Sequence, residues 1–168
     1  WVEAYFTQLK GVLKTDVGYA NGNIENPTYQ DLLSQKASHA ETVHIIYDPK
    51  VLSLNSLLEH CFRFIDPFTL NRQGNDIGIQ YRSGFYYTDE TDQPILRDYL
   101  RKIERETGKK PVVEIQPLRN YYLAETYHQN YLTKNPNGYC HVDLSLLKDE
   151  EKQWNEQIIF HGINILWG

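Results

Sequence analysis

Three stretches rich in polar and aromatic residues hold the side chains that could do chemistry: "NPTY...SHAE" (26 to 41), "RQGNDIGIQYRS" (72 to 83) and "YHQNYLTKNPNGYCH" (127 to 141). Glu41 stands at the entry to "ETVHIIYD", where strand alternation can turn it to water or to the apolar side. Its position alone favours a solvated acid at a strand end. Buried among tyrosines, the same carboxyl would keep its proton near neutrality and serve as a general acid. Asp76 in "GNDIG" has the same two readings, and a turn-capping aspartate is the stronger. Tyr29, Tyr81 and Tyr139 each end a turn-like stretch. They could pack their rings, or converge and hold one polar oxygen by hydrogen bonds.

Cys140 is hard to explain by packing. "NPNGYCH" is a turn in which Asn137 and Gly138 leave the backbone free to move, and His141 beside the thiol could assist thiolate formation. A mobile thiol suits disulfide exchange, while a Cys-His hydrolase remains underdetermined. The other cysteine, Cys61, lies on a helical stripe with Leu54, Leu57, Leu58, Phe62 and Ile65, which makes it a small core hydrophobe. Zinc held by His60, Cys61, Cys140 and His141 would require Cys61 to leave that stripe.

The elements that must position these groups fit one domain, since 168 residues with 40% hydrophobic content can bury a sizeable core. A net charge of -5 spread along the chain, with no basic stripe, argues against nucleic acid. No run of about eighteen apolar residues suggests a membrane span. Two cysteines so far apart make neither a secreted disulfide framework nor a C-x-x-C zinc site, so a soluble cytoplasmic chain is expected. The 13 tyrosines exceed what packing draws, and the lack of any methionine suggests a chain that begins inside its reading frame.

Val2, Tyr5, Phe6 and Leu9 have helical spacing, and Gly11 stops the helix. "VLKTDVGYA", "ETVHIIYD", "GFYYT" and "PVVEIQP" read as strands, residues 54 to 65 and 90 to 107 as helices, and "LAETYHQNYLTK" as a short polar helix. Residues 21 to 40 and 66 to 83 read as long irregular loops. Antiparallel strands with helices on one face form an α+β two-layer sandwich. The order suggests a ferredoxin-like βαββαβ core with long active-site loops, whose first strand would lie before residue 1.

Seven segments in register, "WVEAYF", "GVLKTDVGYANG", "NPTYQ", "HAETVHIIYDP", "DPFTLNRQGNDIGIQYRS", "YHQNYL" and "KNPNGYCH", resemble the A-type peptide methionine sulfoxide reductases from residue 1 to about 145. The resemblance implies thiol-dependent reduction of methionine-S-sulfoxide, free or in proteins, without metal or bound cofactor. In the family a cysteine of a G-C-F-W motif attacks the sulfoxide sulfur while a glutamic acid protonates the oxygen. A second cysteine then resolves the sulfenic acid to a disulfide, which thioredoxin reduces. Carried across, Glu41 matches the acid and Cys140 the recycling cysteine. Tyr29, Asp76 and Tyr81 match the groups around the sulfoxide oxygen, and Tyr139 the tyrosine before the recycling thiol. The attacking cysteine is expected just upstream of Trp1, which is either the motif tryptophan or, as the register from Glu3 favours, the residue after it. A monomer is expected.

Ile79 stands where the family commonly has threonine, and Ser38 where glycine is common. The tail from 146 to 168 has no counterpart in the resemblance and reads as an extension or linker. The rival reading is a module that binds oxidised methionine without reducing it, using Glu41 and the tyrosines alone. The codons preceding Trp1 discriminate the two.

Overall fold

A computed structural model describes residues 2–129, 143–152 and 161–166. Trp1, Tyr139, Cys140 and His141 lie outside the described residues. The helices are α1 (Val2–Thr7), α2 (Tyr29–Leu33), α3 (Leu54–Cys61) and α4 (Asp92–Thr107). The strands are β1 (Val12–Ala20), β2 (Ala40–Tyr47), β3 (Arg72–Gln73), β4 (Asp76–Ile77), β5 (Gly84–Tyr87), β6 (Glu114–Pro117), β7 (Tyr121–Leu123) and β8 (His161–Leu166).

The long helices begin and end where local chemistry dictates. Ser53 caps α3 by accepting a hydrogen bond from the Ser56 amide, and α4 closes on Gly108, whose φ of 71° suits a residue without a Cβ. The stretch expected to be irregular contains α2, opened by a reciprocal capping box: Thr28 Oγ1 accepts from the Asp31 amide at 3.1 Å, and Asp31 Oδ2 accepts from the Thr28 amide at 2.9 Å. The second loop is braced by the β3–β4 ribbon and by a 3-10 turn at Ile79–Tyr81. The polar helix expected after residue 123 is, among the described residues, a 3-10 turn at Thr126–His128 preceded by extended backbone at Glu125.

Six strands form one sheet in the order β6-β5-β8-β2-β1-β7. The pairs are antiparallel except β5–β6, which is parallel and corrects the expectation of a wholly antiparallel sheet. The reason is α4: a helix of 16 residues between β5 and β6 gives the length a crossover connection needs. The interior position between β2 and β5 is taken by β8, in register from Thr42 opposite Leu166 to Tyr47 opposite His161.

Tyr5 and Phe6 of α1, Leu57, Leu58 and Cys61 of α3, and Leu96 of α4 share one core with Val17, Tyr19, Val43, Ile45, Tyr47, Phe85 and Tyr87. These strand residues alternate along their chains, so the helices cover one sheet face. Full burial of a leucine such as Leu57 contributes about 2 kcal/mol. Cys61 is wholly buried there, and burial drives its thiol pKa well above the usual value. Residues 143–152 lie on the same body. Leu147 joins the core, and Arg63 grips both oxygens of Glu151 at 2.8 Å while donating to the Leu146 carbonyl.

Candidate active site

The site lies where β1 and β2 run side by side. Tyr19 on β1 is the direct cross-strand partner of Glu41 on β2, and Tyr19 is paired on its other edge with Tyr122 of β7. Glu41 follows the same alternation as Val43, Ile45 and Tyr47, and that alternation turns it inward. It is only 8% exposed, so the solvated strand-end reading is overturned. Burial, with the nearby negative charges of Asp76 and Glu125, pushes its pKa up to about 8. The carboxyl therefore holds a proton at neutral pH.

The two loops bring further groups against it. The capping box of α2 fixes Tyr29 at the first helical position, and the 3-10 turn after Gly78 presents Tyr81, half-buried. Burial, Glu41 and a hydrogen bond with Tyr29 all raise the Tyr81 phenol pKa, so Tyr81 stands beside the acid and Tyr29 against Tyr81. Asp76 opens β4 in the ribbon, paired with Gln73, instead of capping a turn, and its charge is felt by both Glu41 and Tyr81. Four residues singled out from sequence, Glu41, Tyr29, Tyr81 and Asp76, thus share one neighbourhood. Trp1, Tyr139 and Cys140 lie outside the described residues.

Glu125 escaped notice in the sequence because the segment around it looked like a surface helix. It accepts from the Tyr19 hydroxyl at 2.6 Å and from the Tyr29 amide at 2.8 Å. Burial would raise its pKa, but these hydrogen bonds outweigh burial and hold the carboxyl below the usual range. Two carboxyls in one site are thereby driven apart, Glu125 ionised and Glu41 protonated, which is how a protein separates an anchoring anion from a proton donor. His128 stacks obliquely on Tyr29 with ring centroids 5.0 Å apart, and Gln129 grips the Val17 amide and carbonyl at 2.9 and 2.7 Å. The available signal was the close spacing of Glu125, His128 and Gln129, which side-chain-to-strand docking explains better than a helix face.

Chemically, this is a protonated carboxyl, ringed by phenols, suited to binding a polar oxygen and giving it a proton. Among the described residues no cluster of three or more His, Cys, Asp or Glu could hold a metal ion, and no helix is long and apolar enough to cross a membrane.

Residues 1–158 match the family model described as peptide methionine sulfoxide reductase. The peptide methionine sulfoxide reductase MsrA of Ureaplasma parvum serovar 3 is 52% identical over 149 residues, covering 89% of this chain and 90% of that protein. Among solved structures, Mxr1 from Saccharomyces cerevisiae in reduced form superposes with a TM-score of 0.72 at 38% identity, over 77% of this chain and 75% of that one. Methionine sulfoxide reductase A of Corynebacterium diphtheriae does so with a TM-score of 0.73 at 36% identity, over 83% and 71%. An α+β redox-enzyme fold with an acid-and-phenol site defines the class. Within it, this chain belongs to the peptide methionine sulfoxide reductase family.

Proposed function

We propose that the chain, through residues 1–145, carries out thiol-dependent reduction of methionine-S-sulfoxide, free or in proteins, in the cytoplasm and as a monomer. The observation that carries this reading is Glu41, buried with its pKa pushed up to about 8 and neighboured by Tyr81, which is itself hydrogen-bonded to Tyr29. A thiolate attacks the sulfoxide sulfur and forms a sulfur–sulfur bond while Glu41 gives its proton to the oxygen. The phenols of Tyr29 and Tyr81 donate hydrogen bonds to that oxygen, and the negative charge of Asp76 beside them keeps Glu41 protonated beforehand. The sulfur–oxygen bond breaks with the oxygen leaving as hydroxide. Hydroxide adds to the cysteine sulfur as the sulfur–sulfur bond breaks, methionine leaves reduced, and the attacking cysteine is left as a sulfenic acid. Cys140 condenses with it, releasing water and forming a disulfide, and a thioredoxin dithiol returns both thiols by exchange. Tyr139 and Trp1 are assigned to the substrate side of the pocket through the resemblance.

Cys61 is not the nucleophile, because it is buried and its thiolate is disfavoured. The attacking thiol is assigned to a cysteine, or its selenium equivalent, encoded immediately before Trp1. Residues 146–168 are assigned a structural role in the same domain in place of the linker expected from sequence, since Leu147 joins the core and β8 pairs with β2, the strand that bears Glu41. The test is reduction of both sulfoxide epimers by the full gene product. The S-epimer alone should be reduced, and Cys140→Ser should yield one methionine per enzyme with thioredoxin cycling abolished. Sulfoxide binding without any methionine formed would favour a non-catalytic binding module instead.

A further inference from the structure

Arg82 follows Tyr81 directly in "QYRS", and each of its five N–H donors is taken. Nε donates to Glu114 Oε2 at 3.0 Å. Nη1 donates to the Ser38 carbonyl at 3.0 Å and to the Ile79 carbonyl at 2.9 Å. Nη2 donates to the Tyr86 hydroxyl at 3.0 Å and to the Asn21 carbonyl at 3.5 Å. Tyr86 in turn donates to Glu114 Oε2 at 2.8 Å, which closes the network on its far side. The carbonyl acceptors are the informative ones. Ser38 lies three residues before Glu41, Ile79 opens the turn that presents Tyr81, and Asn21 follows the end of β1 directly, two residues after Tyr19.

We propose that Arg82 is the positioning residue of the site: one guanidinium, by binding the carbonyls of Ser38 and Ile79 through a single nitrogen, fixes the segment bearing Glu41 against the turn bearing Tyr81. It touches neither substrate nor reacting atoms, and the assignment rests on Glu41 being the acid. Only a planar fork with donors in fixed directions can serve five acceptors on separate segments. An ammonium has three donors on one atom and cannot span them. Arg82 binds positions 38 and 79 through their backbone carbonyls, so this hold does not depend on the side chains of Ser38 and Ile79.

Two variants separate positioning from charge. Arg82→Lys keeps the charge and loses the fork, whereas Glu114→Gln loses the ion pair and leaves the hold on Ser38 and Ile79. The readout on this chain is the titration midpoint of the Glu41 carboxyl by carbon-13 NMR, with Asp76, Glu125 and the phenols of Tyr19 and Tyr81 facing it from the neighbouring elements. Released segments admit water, so R82K should lower the midpoint by about one unit or more. In the full gene product it should slow single-turnover sulfoxide reduction about tenfold or more with little change in KM. E114Q should leave both readings unchanged. Equal effects of R82K and E114Q, or a midpoint in R82K within 0.3 unit or so of the parent, would overturn the proposal.

Should R82K not fold, nitrogen-15 spectra of the unmodified chain still decide. A guanidinium held at all five donors rotates slowly and gives separate Nη proton signals at low temperature, while one averaged signal refutes the hold. An unmodified gene product that titrates as described yet reduces no sulfoxide would defeat the reductase reading and leave these two readouts standing.

Discussion

Replacing Glu41 with glutamine tests the buried acid directly, and its sign is opposite to that of most changes at a buried polar group. The folded-state pKa of Glu41 is about 8, against an ordinary value of 4.5, so the folded protein binds the proton more tightly than the unfolded chain. A raised pKa contributes stability that is fully present below pH 4.5 and is lost as pH rises toward 8. At about 1.4 kcal/mol per unit, the loss is about 3 kcal/mol by pH 7 and about 5 kcal/mol above pH 8. Glutamine has the shape of the protonated acid but no proton to lose, so E41Q should be close to the parent at pH 4.5 and more stable by about 3 kcal/mol at pH 7. Urea unfolding of both chains at pH 4.5, 6, 7 and 8.5 reads the difference directly. In the full gene product the same substitution should slow the first reduction step by a factor of about 100 to 10,000, the usual contribution of a general acid. Stability curves that run parallel across this pH range would refute the reasoning, since they would mean that Glu41 is ionised in the folded protein at neutrality.

Three further outcomes follow from the packing. Cys61 should resist alkylation in the native fold and react only at the rate of unfolding, read by mass spectrometry across a urea series, because it is buried with its thiol pKa pushed up. Glu151→Ala should cost about 2 kcal/mol at pH 7 by denaturant unfolding, the scale of a charge-assisted hydrogen bond. Hydrogen bonds from Arg63 hold the Glu151 pKa down to about 2, so this stability is present above pH 4.5 and disappears as pH falls toward 2. Gly18→Ala should destabilise by about 1 to 3 kcal/mol, because its Cβ would meet the Tyr122 carbonyl and the Tyr121 ring across the β1–β7 pair, a loss visible as a lower Tm.

What could be read from sequence alone was local. The stripe through Leu54, Leu57, Leu58 and Cys61 determines both a helix and its buried face, because helical periodicity needs no distant partner. Gly108 as a helix stop and the strand propensities of residues 12 to 20 and 40 to 47 follow for the same reason. The capping box of Thr28 and Asp31 was equally local, yet the surrounding turn residues concealed a helix of only five residues. The seven segments in register carried the family, and with it the chemistry assigned to Glu41 and Cys140.

Tertiary structure decided what depends on neighbours far along the chain. Whether Glu41 faces water or the core turns on the cover supplied by residues such as Tyr81 and on the charges of Asp76 and Glu125, 35 and 84 positions away by number. A pKa set by desolvation cannot be read from a residue's own segment. Glu125 and Arg82 were invisible as site residues because their partners, Tyr19 and Tyr29 for one and Ser38 and Asn21 for the other, meet them only after the sheet and loops close. The parallel β5–β6 pair and the interior place of β8 belong to the same class, since strand order is a property of pairing between segments and not of any segment alone.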